Sequence, residues 1–247
     1  MKIVVIGGTG RIGSQVVRLL EDNGHEAVAA APSTGVDTLT GEGLTDVLKG
    51  ADVVVDVANS PSFEKEAAHD FFTRAMRNLT AAEQEAGVRH HVALSIIGVD
   101  QVPGLGYYLA KVAQEDAVRA SGVPFTIVRV AQFFEFVAPV MDLTTQGRDV
   151  HLPSTQLRPI AAADVAAVVA EAAQGEPVNG LRQLAGPEIH RLDRLAELTL
   201  AAQPDGRRVV TDQSAGMFAG IPDGILTGTP TVPTAPTRYE TWLLGGD

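Results

Sequence analysis

The stretch that most constrains this chain is its first twenty residues, MKIVVIGGTGRIGSQVVRLL. Lys2 to Ile6 is a β-branched run long enough for a buried strand. Gly7, Gly10 and Gly13 follow at three-residue spacing, and Ile12, Val16, Val17, Leu19 and Leu20 then recur at helical spacing. A strand, a glycine turn and a helix in that order predict the opening of a parallel α/β sheet. The glycines let the backbone turn tightly and approach a pyrophosphate, which would rest on the positive end of the helix. The same order also opens doubly wound proteins that bind no dinucleotide, so other parts of the chain must discriminate.

Composition narrows the alternatives. The chain has 247 residues, 45% hydrophobic and 20% charged, which suits one large domain with a full core. It has no cysteine, hence no disulfide frame, thiolate metal site or cysteine nucleophile. A net charge of -11 argues against a nucleic-acid partner, because phosphate backbones need an extended basic surface. The expected partner is a small-molecule substrate, with the oligomeric state open. Met1 runs directly into the first strand, leaving no room for a signal peptide, and no apolar stretch is long enough to span a bilayer. The expected compartment is the cytoplasm. His90 and His91 form the one adjacent histidine pair and would point to opposite faces of a strand, which disfavours a metal site there.

Strand-like runs recur at HEAVAAA, ADVVVDVA, RHHVALSII and PFTIVRVA, with amphipathic helical stretches between most of them. A helix is expected from about Glu64 to Ala86, closed by a glycine. Others are expected in YYLAKVAQEDAVRASGV, AAADVAAVVAEAAQG and RLDRLAELTLAA. This alternation predicts a doubly wound parallel sheet of Rossmann type. The expectation is a single domain over residues 1–247, whose part from about residue 133 onward contributes a substrate pocket. Within that part GIPDGILTGTPTVPTAPT reads as loop, and PTRYETWLLGGD as a short closing helix that packs Trp242 and Leu243.

The most specific chemical signal is YYLAK. Tyr107 and Lys111 are four residues apart, one turn along a helix face. Ser95 lies near the carboxyl end of the strand HVALSII, the edge on which such sheets build their sites. A tyrosine titrates near a pKa of about 10, and a lysine cation one turn away favours the phenolate. Serine, tyrosine and lysine together form a proton-transfer set; separately they are a strand-end hydroxyl, a surface ring and a solvated charge.

With GGTGRIG, the strand-end serine and the Tyr107 to Lys111 spacing in hand, the chain resembles the short-chain dehydrogenase/reductase superfamily, in particular its atypical NmrA-like branch. GVDTLTGEGLTDVLKGADVVVDVA, AAEQEAGVRHHVALSIIGV, YYLAKVAQEDAVRASGVPFTIVRVAQFFEF, RPIAAADVAAVVAEAA and PVNGLRQLAGPE extend the resemblance over nearly the whole chain. That branch includes NAD(P)H-dependent quinone and carbonyl reductases and catalytically silent redox sensors. The resemblance implies that Gly7, Thr9, Gly10, Arg11, Ile12 and Gly13 wrap the pyrophosphate. It further implies that Lys111 holds the nicotinamide ribose, Tyr107 donates a proton and Ser95 orients a carbonyl. Many branch members lose the tyrosine, and its presence here favours an enzyme over a sensor. Tyr108, three residues from Lys111, is the rival donor.

Cofactor choice rests on the end of the second strand. A carboxylate there would bind a ribose hydroxyl and mark NAD, whereas AAAPSTG carries none. Arg11 and the hydroxyls of Ser33 and Thr34 tilt the expectation to NADP(H) over NAD(H). Asp37 is expected on a short strand near the adenine. Ala58, Asn59 and Ser60 let the backbone approach the adenosine, and Val130 is counted with them at the end of PFTIVRV. Phe133 and Phe134, with Phe136, either line an apolar substrate pocket or pack as core. Asp164 reads as a carboxylate at a helix start. The leading expectation is an NAD(P)H-dependent oxidoreductase passing hydride to a small carbonyl or quinone-type substrate. A dinucleotide-binding redox sensor and a nucleotide-sugar epimerase-like enzyme are the alternatives.

Overall fold

The β-branched runs of the first half become strands, and the amphipathic stretches between them become helices. The computed structural model describes residues 1–245; Gly246 and Asp247, the end of the expected closing helix, lie outside the described residues. In chain order the elements begin with β1 (Lys2–Ile6), α1 (Arg11–Asp22), β2 (Glu26–Ala30), α2 (Leu44–Leu48) and β3 (Val53–Asp56). Next come α3 (Lys65–Ala86), β4 (His90–Ile96), α4 (Gly106–Ala120), β5 (Phe125–Val130) and α5 (Val137–Leu143). The strands β6 (Thr145–Gln146), β7 (Asp149–Leu152) and β8 (Gln156–Leu157) precede α6 (Ala162–Gln174) and β9 (Gly180–Leu184). The chain closes with β10 (His190–Arg191), α7 (Leu192–Ala202), β11 (Arg208–Thr211) and α8 (Tyr239–Gly245).

Six strands form one parallel sheet in the order β2-β1-β3-β4-β5-β9. Ile3 lies opposite Val53 and Ala27, and Val53 lies opposite His90. Central strands covered on both faces read as continuous apolar runs, and β1 and β3 are buried along almost their whole length. After β1 the chain crosses to β2 on one side and then returns past β1 to β3 on the other. The reversal at β1 and β3 opens a crevice at their carboxyl ends, the usual ligand position in such sheets. On α3, Ala68, Phe72, Ala75, Met76, Leu79 and Glu83 form the buried stripe, and Gly87 stops the helix in a left-handed conformation at φ 70°.

The residues divide into two compact units. The first comprises Met1–Arg129 and Val165–Arg182, so it holds the sheet from β1 to nearly the end of β5. The second comprises Val130–Asp164 and the residues from Gln183 onward. It contains two small sheets: β6 and β11 flank β7, antiparallel and parallel respectively, and β8 pairs antiparallel with β10. Its mainly aliphatic interior includes an aromatic cluster, with Phe134 against Tyr239 at 5.0 Å and Trp242 at 5.6 Å between ring centroids. Glu135 accepts the Ala162 N–H, and Asp164 accepts the Thr237 N–H, so both carboxylates tie loops to the start of α6.

One local expectation is corrected. Asp37 is not on a strand: its Oδ1 accepts the Leu39 N–H at 2.7 Å and its own N–H reaches Glu42 O, closing a turn. Directly after β2, Pro32–Thr34 forms a single 3-10 turn, with proline preset for its first position and Thr34 Oγ1 taking the Ala31 N–H.

Candidate functional site

The glycine loop lies at the sheet's reversal point. Gly7 has φ +78°, and a Cβ there would stand 2.9 Å from Ala58 N, so β1 and β3 end in near backbone contact. A Cβ on Gly8 would meet Ala29 Cα at 2.7 Å, and one on Gly13 would meet Gly7 O at 2.1 Å. Gly8 was missed in the sequence pattern, although the doubled glycine at the strand end was its signal. Gly10 differs: a Cβ there meets Gly7 O at 3.2 Å and nothing else within 4 Å. Gly10 caps α1 without a side-chain hydrogen bond, and the first turn, with Arg11, Ile12 and Gly13, has no acidic residue. The helix start therefore keeps unsatisfied N–H groups beneath a loop stripped of side chains, which fits a pyrophosphate.

Around that loop, Thr9 and Arg11 are exposed, and Ser33 Oγ donates to Thr9 Oγ1 at 3.4 Å. At the end of β3, Ala58 N donates to Asp56 Oδ1 at 3.1 Å, and Ser60 Oγ accepts from Ser62 N. Asn59 has an unforeseen role, because Tyr107 OH donates to its Oδ1 at 2.6 Å.

Tyr107 and Lys111 share a face of α4 and meet the same ring. Phe72 lies 6.1 Å from the Tyr107 ring centroid and 4.7 Å from Lys111 Nζ. Phe63 closes the other side of Tyr107 at 5.1 Å. Burial raises the Tyr107 phenol above its usual value, Tyr108 adds to the rise, and the bond to Asn59 draws it partly back. The expected lowering by Lys111 is therefore not what this arrangement produces. Lys111 Nζ instead donates to Leu94 O at 2.8 Å and to Gln114 Oε1. Burial pushes the ammonium down to about 8, against the opposing charges of Asp56 and Glu115.

Ser95 is engaged by Glu115. His91, Ala93 and Ser95 alternate onto the face of β4 covered by α3 and α4, where Ala93 packs on Met76 and Val118. Ser95 Oγ donates to Glu115 Oε1 at 2.5 Å. A hydroxyl has one proton to give, and here it goes to a carboxylate. Glu115 also accepts two bonds from Arg129, whose remaining arm reaches Asp100 at 2.9 Å. Burial works against the Glu115 charge, but the Arg129 and Ser95 bonds outweigh it and hold the carboxyl below its usual range. On the opposite face, His90 Nε2 meets Thr126 Oγ1 at 2.9 Å, while His91 Nδ1 meets Glu83 at 2.7 Å. Val130, Phe133 and Phe134 belong to the second unit: Val130 is buried, Phe133 bridges Ile160, and Phe134 is 1% exposed within the aromatic core.

A family model described as NAD(P)H-binding matches residues 7–176, from the first glycine through α6. The chain belongs to the NAD(P)H-binding family of atypical short-chain dehydrogenase/reductases. Within this family it is similar to the photosystem II assembly factor Ycf39 of Synechocystis, 25% identical over 58% of this chain and 49% of that protein. It is also similar to the NAD(P)H azoreductase of Xenophilus azovorans, 29% identical over 76% of this chain and 71% of the relative. The chain spans about half the length of the first of these relatives. Among solved structures, the NADPH-dependent quinone oxidoreductase QOR2 of Escherichia coli, complexed with NADPH, covers 98% of both chains with a TM-score of 0.72. At 20% identity that likeness shows the fold. NAD(P)H-dependent reductases thus stand among the family's members, and no helix among the described residues is long and apolar enough to cross a membrane.

Proposed function

We propose that this protein is a reductase that uses NADPH in preference to NADH and acts on small carbonyl or quinone-type substrates. The observation that carries the reading is the placement of Lys111: a buried ammonium beside the carboxyl end of β4, one helical turn from a tyrosine. The bound dinucleotide would supply the hydride. Gly7, Thr9, Gly10, Arg11, Ile12 and Gly13 would hold its pyrophosphate, and Ala58, Asn59 and Ser60 its adenosine half. Lys111 would hold the ribose with the N–H that Leu94 and Gln114 leave free. Tyr107, kept protonated by burial, would give its proton to the oxyanion that develops on the substrate once the hydroxyl turns from Asn59. NADPH preference is supported by exposed Arg11 and Ser33 near Thr9, and by the absence of a carboxylate at the end of β2.

Steady-state kinetics on Tyr107→Phe test the proton donor. Turnover of a simple ketone should fall by ~10²-fold or more, with NADPH affinity nearly unchanged. A ketone rate equal to the parent's would overturn the assignment. A quinone rate that ignores the substitution would restrict it to carbonyl substrates.

One observation favours a second reading, a dinucleotide-binding sensor without turnover. The Ser95 hydroxyl is committed to Glu115, so the third member of the expected triad is occupied. A broad carbonyl and quinone panel with no NADPH oxidation would favour that reading.

A further inference from the structure

Asp56 ends β3 in the interior, 4% exposed, yet among the described residues its carboxylate bonds only N–H groups of neutral amides: Ala58 N on Oδ1 and Gln114 Nε2 on Oδ2, at 3.1 and 2.7 Å. Gln114 is itself 2% exposed, and its Oε1 accepts from Lys111 Nζ. A carboxamide has fixed polarity, one end donating and the other accepting. Turned over, it would set its oxygen against a carboxylate and its NH₂ against an ammonium, so the two charges themselves lock its orientation. A buried anion and a buried cation are thus joined through one amide.

The surroundings of Lys111 leave the counter-charge to Asp56. The ammonium faces Asp56 from β3, Gln114 and Glu115 from α4, the Leu94 carbonyl from β4 and the Phe72 ring from α3. Glu115 is already committed to Arg129 and Arg119, whereas no cation among the described residues is bonded to Asp56. Uncompensated, burial disfavours an ammonium and drives off its proton. A direct ion pair would balance the charge but draw the ammonium toward the carboxylate. The intervening amide balances it at a distance and keeps Nζ beside Leu94 O.

We propose that Asp56 and Gln114 are positioning residues for Lys111: Asp56 supplies its counter-charge, and Gln114 relays that charge and aims the ammonium. The consequence for cofactor binding rests on the reading that Lys111 holds the ribose. The relay itself stands on the geometry alone and is tested without a dinucleotide.

The chain has four lysines, Lys2, Lys49, Lys65 and Lys111. Carbon-13 labelling of lysine Cε therefore gives a spectrum in which Lys111→Arg assigns the signal of interest. In the parent that signal should titrate near 8. Asp56→Asn should move it down by about one pH unit or more, since the charge that favours the ammonium is gone. The double variant Asp56→Asn with Gln114→Glu keeps the shape and net charge but moves the carboxylate next to Lys111, and should restore the midpoint or raise it. Gln114→Met, which keeps Asp56 and removes the bridge, should also lower it, and serves if Asp56→Asn does not fold. An unmoved midpoint in a folded Asp56→Asn or Gln114→Met protein would overturn the relay, as would a folded double variant that fails to restore it. Failure of the reductase reading would appear separately, as absence of NADPH-dependent turnover in the parent.

Discussion

The first unit buries several charged groups within its apolar core, whereas the second, among the described residues, buries one, Asp193. Glu115, Arg129, Asp56, Lys111, Glu83 and His91 are all buried, and each is bonded to another polar group of the unit. In the second unit Phe134 and Tyr239 are buried with the half-buried Trp242 packed on both, and pairs such as Arg208 with Asp149 and Arg238 with Glu188 lie at the surface. Asp193, held by Arg191 and Thr211, is the second unit's exception. Burying ions costs free energy that well-packed apolar groups would save. Four of the first unit's charged groups, Asp56, Lys111, Glu115 and Arg129, lie on α4 or at the carboxyl ends of β3 and β5, where the proposed chemistry sits, whereas Glu83 and His91 pair at the amino end of β4.

The sharpest way to break the comparison is to remove one buried charge and one exposed charge. Glu115→Gln strips Arg129 and Arg119 of a shared carboxylate and should cost about 3 kcal/mol, read by urea unfolding. Asp149→Asn, its counterpart at the second unit's surface, should leave the unfolding midpoint unchanged. Equal losses from both would mean that burial does not separate the units' charges.

A pH titration of stability should give a somewhat smaller effect. Burial, helped by the neighbouring His91 charge, pulls His90 from 6.5 to about 4. Its folded value lies below its unfolded value, so the unfolded chain takes up the proton first as pH falls. The stability His90 contributes is complete above about 6.5 and is lost between 6.5 and about 4, by about 3 kcal/mol at most. His91 has the opposite sign. Burial lowers it, but Glu83 outweighs burial and holds it raised, so its contribution is present in acid and lost as pH rises through its folded value. His90→Gln should flatten the acid limb specifically; an unchanged slope between pH 6.5 and 4 would remove His90 from the account.

Features written in short-range spacing were legible before the structure. The glycine turn, the four-residue step from Tyr107 to Lys111 and the helix face of Phe72, Ala75, Met76 and Leu79 are all local periodicities. What was not legible is long-range pairing. Asn59 meets Tyr107 across 48 positions and Asp56 meets Gln114 across 58, and no local pattern announces either. Gln114 alone carried a signal, three residues after Lys111 on the same helix. Ser95 was placed on the right strand, but the carboxylate it serves comes from α4, 20 residues on. Asp37 misled because its neighbours Val36 and Thr38 favour strand, while its own carboxylate closes a turn. The stretch from Ile221 to Thr237 has no period to read; the Ala185 to Thr234 bridge helps anchor it from a distant segment.

The central claim is that the glycine loop of the first unit binds the pyrophosphate of an NADP-type dinucleotide. Gly10 isolates that claim best, since its added Cβ meets Gly7 O at 3.2 Å, whereas one on Gly7, Gly8 or Gly13 would stand under 3.0 Å from backbone atoms. Calorimetric titration of the parent and Gly10→Ala with NADPH and NADH is the direct measurement. The account predicts tighter NADPH than NADH binding in the parent, and loss of both in Gly10→Ala at an unchanged melting temperature. Parental NADPH affinity in a folded Gly10→Ala protein would contradict it.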